Sequence, residues 1–148
     1  MGCKGSSAVA IDSLIQHFHE RLGNWAVVFV PELDSLGDIK FSYTNSEVRV
    51  IRHWPGFGSF SMAWFVRASY LNSLVAVNWH GRAGSLLFRT AGRGNFLVTG
   101  LHGAHGDDFV DSLCDASWLL KKVSRGTSKF MVGDFNCDQL PFLDRPVG

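Results

Sequence analysis

The stretch Asn95-Phe96-Leu97-Val98-Thr99-Gly100-Leu101-His102-Gly103-Ala104 marks the point where the chain changes its period. Upstream of it, short β-rich runs alternate with turn signals. Downstream, Phe109, Leu113, Ala116, Leu119 and Leu120 recur at helical spacing, behind the first-turn acids Asp107 and Asp108 and ahead of Lys121 and Lys122 in the last turn. Lys129–Val132 then reads as a short buried strand, and Gly133-Asp134-Phe135-Asn136 falls at its C-terminal end.

Working back from Asn95, the runs Ser85–Thr90, Ser73–His80, Phe60–Ala68, Glu47–His53 and Asp38–Thr44 are strand candidates separated by short breaks containing Gly, Pro or Asn. Short Gly-containing breaks in succession predict antiparallel hairpins. Trp25-Ala26-Val27-Val28-Phe29-Val30 is apolar on both faces and reads as a buried strand, ended by Pro31, which delivers Glu32 just past it. Before it, Ile11, Leu14, Ile15, Phe18 and Leu22 form one face of an amphipathic helix that Gly23-Asn24 stops. Helix, strand, a mostly antiparallel block, helix and strand predict an α+β sandwich with sheet at the centre and helices outside. Ligand sites in such sheets form at the carboxyl ends of strands, where Glu32 and Asp134 both fall.

At 148 residues, with 46% hydrophobic and 13% aromatic content, the chain has the material for one core and little room for two. Its formal charge of +1 hides an asymmetry: residues 1–37 balance to −2, 38–105 to +5 and 106–148 to −2. A basic middle can attract phosphates, although charges on the wet faces of strands give the same count. Cys3, Cys114 and Cys137 are odd in number and lack CxxC spacing, against a disulfide framework or a structural zinc site and in favour of a reducing, intracellular compartment, nucleus or cytoplasm unresolved. The apolar run at residues 25–31 is far shorter than the roughly 20 residues that cross a bilayer, so no membrane span is expected. Met1-Gly2-Cys3-Lys4-Gly5-Ser6 matches the pattern for N-myristoylation at Gly2 with Cys3 placed for a second acyl chain, a six-residue pattern that carries little information. Residues 1–10 read as an N-terminal tail and 11–148 as the folded body.

Glu32, His102, Asp134 and Asn136 are the residues suited to chemistry. A carboxylate at a strand end can hold a hard cation such as Mg²⁺, which takes one or two protein carboxylates and keeps water for substrate phosphate. Asp134 could orient or deprotonate water, Asn136 hold a phosphate oxygen, and His102 donate to charge building at phosphorus. Each segment also has a plain reading: a solvated turn carboxylate, a self-capping turn, a loop histidine. His102, His105, Asp107 and Asp108 also invite a transition-metal reading, which ranks below a helix N-terminus because the two acids already suit a first turn. Gly56-Phe57-Gly58 precedes a strand and lacks a third glycine, so it is a turn and not a dinucleotide loop. No GxSxG elbow occurs. Trp54, Phe57, Trp64 and Trp79 could stack on bases or simply fill the core.

Taken in order, Val27–Glu32, Phe96–Ala104 and Phe130–Asn136 resemble the endonuclease/exonuclease/phosphatase (DNase I-like) superfamily, and look most like the endonuclease domain of non-LTR retroelements. Gly133–Asn136 is the most specific element. The resemblance implies a four-layer α/β/β/α sandwich in which Glu32 holds Mg²⁺ (or Mn²⁺), Asp134 and Asn136 position nucleophile and phosphate, and His102 stabilises the transition state. It covers about Ile11 to Pro141 and departs from the family at both ends. The family's early strand with a supporting Asn and its terminal Ser/Gly-Asp-His motif have no counterpart here. The expectation is therefore an incomplete domain: a Mg²⁺-dependent endonuclease-like phosphodiester hydrolase, weakly active or inactive as this chain, with DNA favoured over RNA as partner. The alternatives are a nucleic-acid-binding remnant without catalysis, or a phosphatase of the same superfamily acting on a small phosphoester or phospholipid.

Overall fold

The computed structural model describes residues 7–33, 46–56, 61–92, 94–104 and 108–134. The expected strand at 38–44, together with Gly2, Cys3, Phe57, His105, Asp107, Asn136 and Cys137, lies outside the described residues. The elements run α1 (Ser7–Leu22), β1 (Val27–Val30), β2 (Val48–His53), β3 (Met62–Arg67), α2 (Ala68–Leu71), β4 (Leu74–His80), β5 (Ala83–Thr90), β6 (Gly94–His102), α3 (Phe109–Leu120) and β7 (Ser128–Asp134). Three strands form one sheet in the order β1-β3-β2 and four form a second in the order β4-β5-β6-β7. Every pairing is antiparallel except β6 with β7, the two strands joined through α3.

Strand alternation explains the layering. Successive side chains of a strand point to opposite faces, so β3, the central strand of its sheet, sends Ala63 and Phe65 toward α1, where they pack with Ile11, Ile15 and Phe18. Its Trp64 and Val66 point the other way and pack with Leu86, Phe88 and Val98 of the second sheet. Beyond that sheet, Ala83 and Leu101 meet Ala116 and Leu119 of α3. Helix, sheet, sheet and helix therefore stack as four layers with three apolar seams, an α+β sandwich of DNase I-like architecture. Trp64 lies fully buried in the middle seam, its ring 4.8 Å from that of Phe29, which makes it core and not a base-stacking platform.

Several details differ from the sequence reading. The helix begins at Ser7, ahead of Ile11, and Leu22 at its last position is 53% exposed. The end of the run 60–68 turns into the short helix α2. Lys121 and Lys122 follow α3 instead of closing it. The largest change is β7. Expected as a buried strand, it is exposed along its whole length, with Phe130 at 55% and Val132 at 40%, because among the described residues it pairs with β6 alone and forms the sheet's edge. Periodicity cannot tell a central strand from an edge strand when both are apolar.

Candidate active site at the ends of β1, β6 and β7

Glu32 lies two residues past the end of β1, after Pro31, and its neighbour Leu33 is clamped. The Leu33 N–H donates to the Ser61 carbonyl at 2.7 Å. The Leu33 carbonyl accepts from Ser61 Oγ at 2.8 Å and from Arg52 Nη2 at 3.1 Å. Arg52 Nε and Nη2 also donate to Ser61 Oγ, at 3.2 and 3.0 Å. Ser61 and the Leu33 side chain are buried, and burial lowers the Arg52 guanidinium from its usual pKa, which leaves it charged. The segment after β1 is thus fixed at one residue while the Glu32 side chain, 59% exposed, reaches toward solvent. Neither Arg52 nor Ser61 was singled out from the sequence; the usable signal was a charged residue interrupting the apolar alternation of 47–53.

His102 is the last residue of β6 and is buried. Its Nε2 lies 3.3 Å from Oε1 of Glu32, joining the two sheets at one end. On its other side stands Arg82, from the tight turn between β4 and β5. Arg82 Nε donates to the His102 carbonyl at 2.7 Å, its Nη2 lies 3.4 Å from His102 Nδ1, and the His102 N–H donates to the Arg82 carbonyl at 2.9 Å. The Arg82 N–H in turn donates to Asp115 Oδ2 of α3 at 3.0 Å.

Asp134 enters by register. It is the parallel partner of His102, as Val98 is of Phe130, and paired residues share a face of the sheet. Phe96 and Val98 line the seam between the sheets, so His102 and Asp134 lie on that same face at its end. The Gly103 N–H donates to the Asp134 carbonyl at 2.6 Å and extends the ladder past the strand.

Two glycines set the spacing. A Cβ on Gly100 would run into the ring of Phe29, so its absence lets β1 approach β6 and carry Glu32 to His102. At Gly133, φ is +134° and a Cβ would collide with the Leu101 main chain, so only glycine allows β7 to lie this close one residue before Asp134.

The structure therefore places Glu32 against His102 and Asp134 beside His102 in register, while Asn136 lies outside the described residues. Among those residues no three of His, Cys, Asp and Glu converge to hold an ion on their own, and His105 and Asp107 of the transition-metal reading lie outside them. The donor set still fits Mg²⁺, since a hard cation needs only one or two carboxylates with water and substrate oxygen as its other ligands, and the Glu32 carboxylate is a solvent-facing oxygen donor. Two cavities among the described residues lie away from this trio. One of about 450 Å³ is lined by Tyr70, Thr90, Asn95, Phe96, Ser128 and Phe130, and one of about 260 Å³ lies behind Arg82, toward Asp108, Asp111 and Asp115.

No protein-family model and no curated protein matches the chain. A solved structure of humanized D. rerio TDP2 carrying 14 mutations superposes with a TM-score of 0.57 at 13% identity, covering 90% of this chain and 56% of that chain. The inositol polyphosphate 5-phosphatase domain of SPsynaptojanin, solved with inositol (1,4)-bisphosphate and calcium ion, is matched at 20% identity over 62% of this chain and 32% of that one, with a TM-score of 0.33. That second superposition is too loose to carry an argument. At 13% identity the first shows likeness of fold alone, and that fold is DNase I-like. This chain spans about half the length of the TDP2 chain it matches.

Proposed function

We propose that the chain is a divalent-cation-dependent phosphodiester hydrolase of the endonuclease kind, acting on DNA through Glu32, His102, Asp134 and Asn136. The observation that carries this reading is the Glu32–His102 contact at 3.3 Å with Asp134 paired beside His102 in register, on the fold shared with TDP2.

Glu32 would hold Mg²⁺, or Mn²⁺, which when bound supplies positive charge against the phosphate oxygens. His102, with its ring held in place by β6 and Arg82, directs Nε2 toward the half-exposed Glu32 carboxylate, where it can donate a hydrogen bond to charge developing at phosphorus. Asp134 on the same face orients a water and takes its proton. Asn136 offers an amide to a phosphate oxygen without adding negative charge. The +5 balance of residues 38–105 favours a polyanion. The sequence holds no Ser/Gly-Asp-His motif, and catalytic groups acting as a unit lose most of their rate when one is missing, so slow turnover is expected of this chain. The retroelement resemblance and an intracellular setting belong to the same proposal.

Incubation of supercoiled plasmid with the purified chain and Mg²⁺ tests it. Nicking that Asp134→Ala and chelation both remove supports hydrolysis at this site; equal nicking by the variant, or none by either, refutes it for this chain. Salt-sensitive DNA binding without nicking would support the non-catalytic binding reading, which rests on the basic middle and the aromatics.

A further inference from the structure

We infer that Arg82 is the positioning residue for His102: it fixes both the orientation of the imidazole and the tautomer in which Nε2 carries the proton. The inference rests on the proposed role of His102 but is measurable apart from it.

Three contacts join the two residues. The His102 N–H and carbonyl are bonded to the Arg82 carbonyl and Nε, at 2.9 and 2.7 Å, so the strand end is held by its main chain. The third contact reaches the ring, with Nη2 at 3.4 Å from Nδ1, a long hydrogen bond by the usual range. A guanidinium has donors and no acceptor. Facing it, Nδ1 must present its lone pair, and the single proton of the neutral ring then resides on Nε2, the nitrogen that lies 3.3 Å from the Glu32 carboxylate. That is the atom required to donate to phosphate. With the tautomer reversed, Nε2 would turn a lone pair toward Glu32 and toward any phosphate oxygen, and the group would repel what it is meant to hold. Support for Arg82 is itself built in: Asp115 Oδ2 accepts its N–H, and Gly81, at φ +54°, leaves room for that carboxylate where a Cβ would not. Second-layer groups that orient an imidazole commonly carry effects of about 10- to 100-fold on activity.

The test uses the full chain labelled with ¹⁵N-histidine, at a pH well above the ordinary histidine value of about 6.5, and compares wild type with Arg82→Met and Arg82→Lys. In the wild type the His102 nitrogens are expected as one protonated (Nε2) and one bare (Nδ1). In Arg82→Met the two shifts are expected to move toward each other as tautomers and rotamers mix; Arg82→Lys, which reaches only one of the two acceptors at a time, falls between. If Arg82→Met does not fold, Arg82→Lys decides on the same criterion. Unchanged imidazole shifts in a folded variant overturn the inference, as does a wild-type His102 protonated at Nδ1. If the wild type nicks DNA, kcat is expected to fall about 10-fold or more in Arg82→Met with KM little changed. A wild type that never nicks DNA sinks the hydrolase reading, and the nitrogen shifts still decide the role of Arg82.

Discussion

His102 Nε2 and Glu32 Oε1 lie 3.3 Å apart although they come from different sheets, so the contact closes the seam between the sheets at one end. It brings a buried ring against an exposed carboxylate, an arrangement suited to a group that faces solvent and substrate. His102→Ala is expected to lower the Mg²⁺-dependent nicking rate by about 100-fold or more, the scale of losing one aligned donor to transition-state charge. Glu32→Gln is expected to remove the response to Mg²⁺. Rates measured across a Mg²⁺ series separate the two effects.

Gly100 and Phe29 set the distance between the sheets. Gly100→Ala is expected to destabilise the fold by about 1–3 kcal/mol, the range for inserting a methyl into a packed core, because its Cβ meets the Phe29 ring. Combining it with Phe29→Leu should recover part of that loss. Urea denaturation of both variants checks the pair, and a Gly100→Ala chain as stable as wild type would show that the seam is looser than described.

Ser61 and Arg52 hold Leu33, and through it Glu32. Ser61→Ala removes the Oγ that donates to the Leu33 carbonyl and accepts from Arg52. A loss of about 1 kcal/mol is expected, since Arg52 still serves the carbonyl. Arg52→Leu should be the more damaging change, leaving Ser61 to satisfy the carbonyl alone and removing the guanidinium that packs on Trp54. Thermal melts rank the two.

His53 couples stability to pH. Its ring stacks on Trp79 with centroids 4.9 Å apart, and burial lowers its pKa below the usual 6.5. The folded chain therefore takes up this proton less readily than the unfolded chain. The stabilisation from His53 is complete above the unfolded value and is lost as pH falls from about 6.5 through the lower folded value. His53→Phe keeps an aromatic ring beside Trp79 and should flatten the acid side of the Tm-versus-pH curve. Parallel curves for the two chains would assign the acid sensitivity to other groups.

Much of this fold was legible in the sequence because its signals were strong and local. The α1 stripe, the hairpin turns and the change of period after His102 correspond to α1, the antiparallel blocks and the β6–α3–β7 crossover. Glu32, His102 and Asp134 were each weak alone, and their shared end of the sandwich follows from strand direction. What escaped the sequence was long-range. The edge position of β7 depends on which strands are its neighbours, and the holding roles of Arg52 and Arg82 depend on hydrogen bonds to main-chain atoms of Leu33 and His102. No pattern along the chain records such contacts. The α2 turn after β3 was missed because it is only Ala68–Leu71, too short for a periodic signal.

The central claim, a cation held by Glu32 beside His102 and Asp134, is tested most directly by titrating the ¹⁵N-labelled chain with Mn²⁺ and following paramagnetic broadening of its amide signals. The account predicts that Glu32, Leu33, His102, Gly103 and Asp134 broaden first, that Mg²⁺ competes the effect away, and that Glu32→Gln abolishes it. Broadening centred elsewhere on the chain, or unchanged in Glu32→Gln, would contradict it.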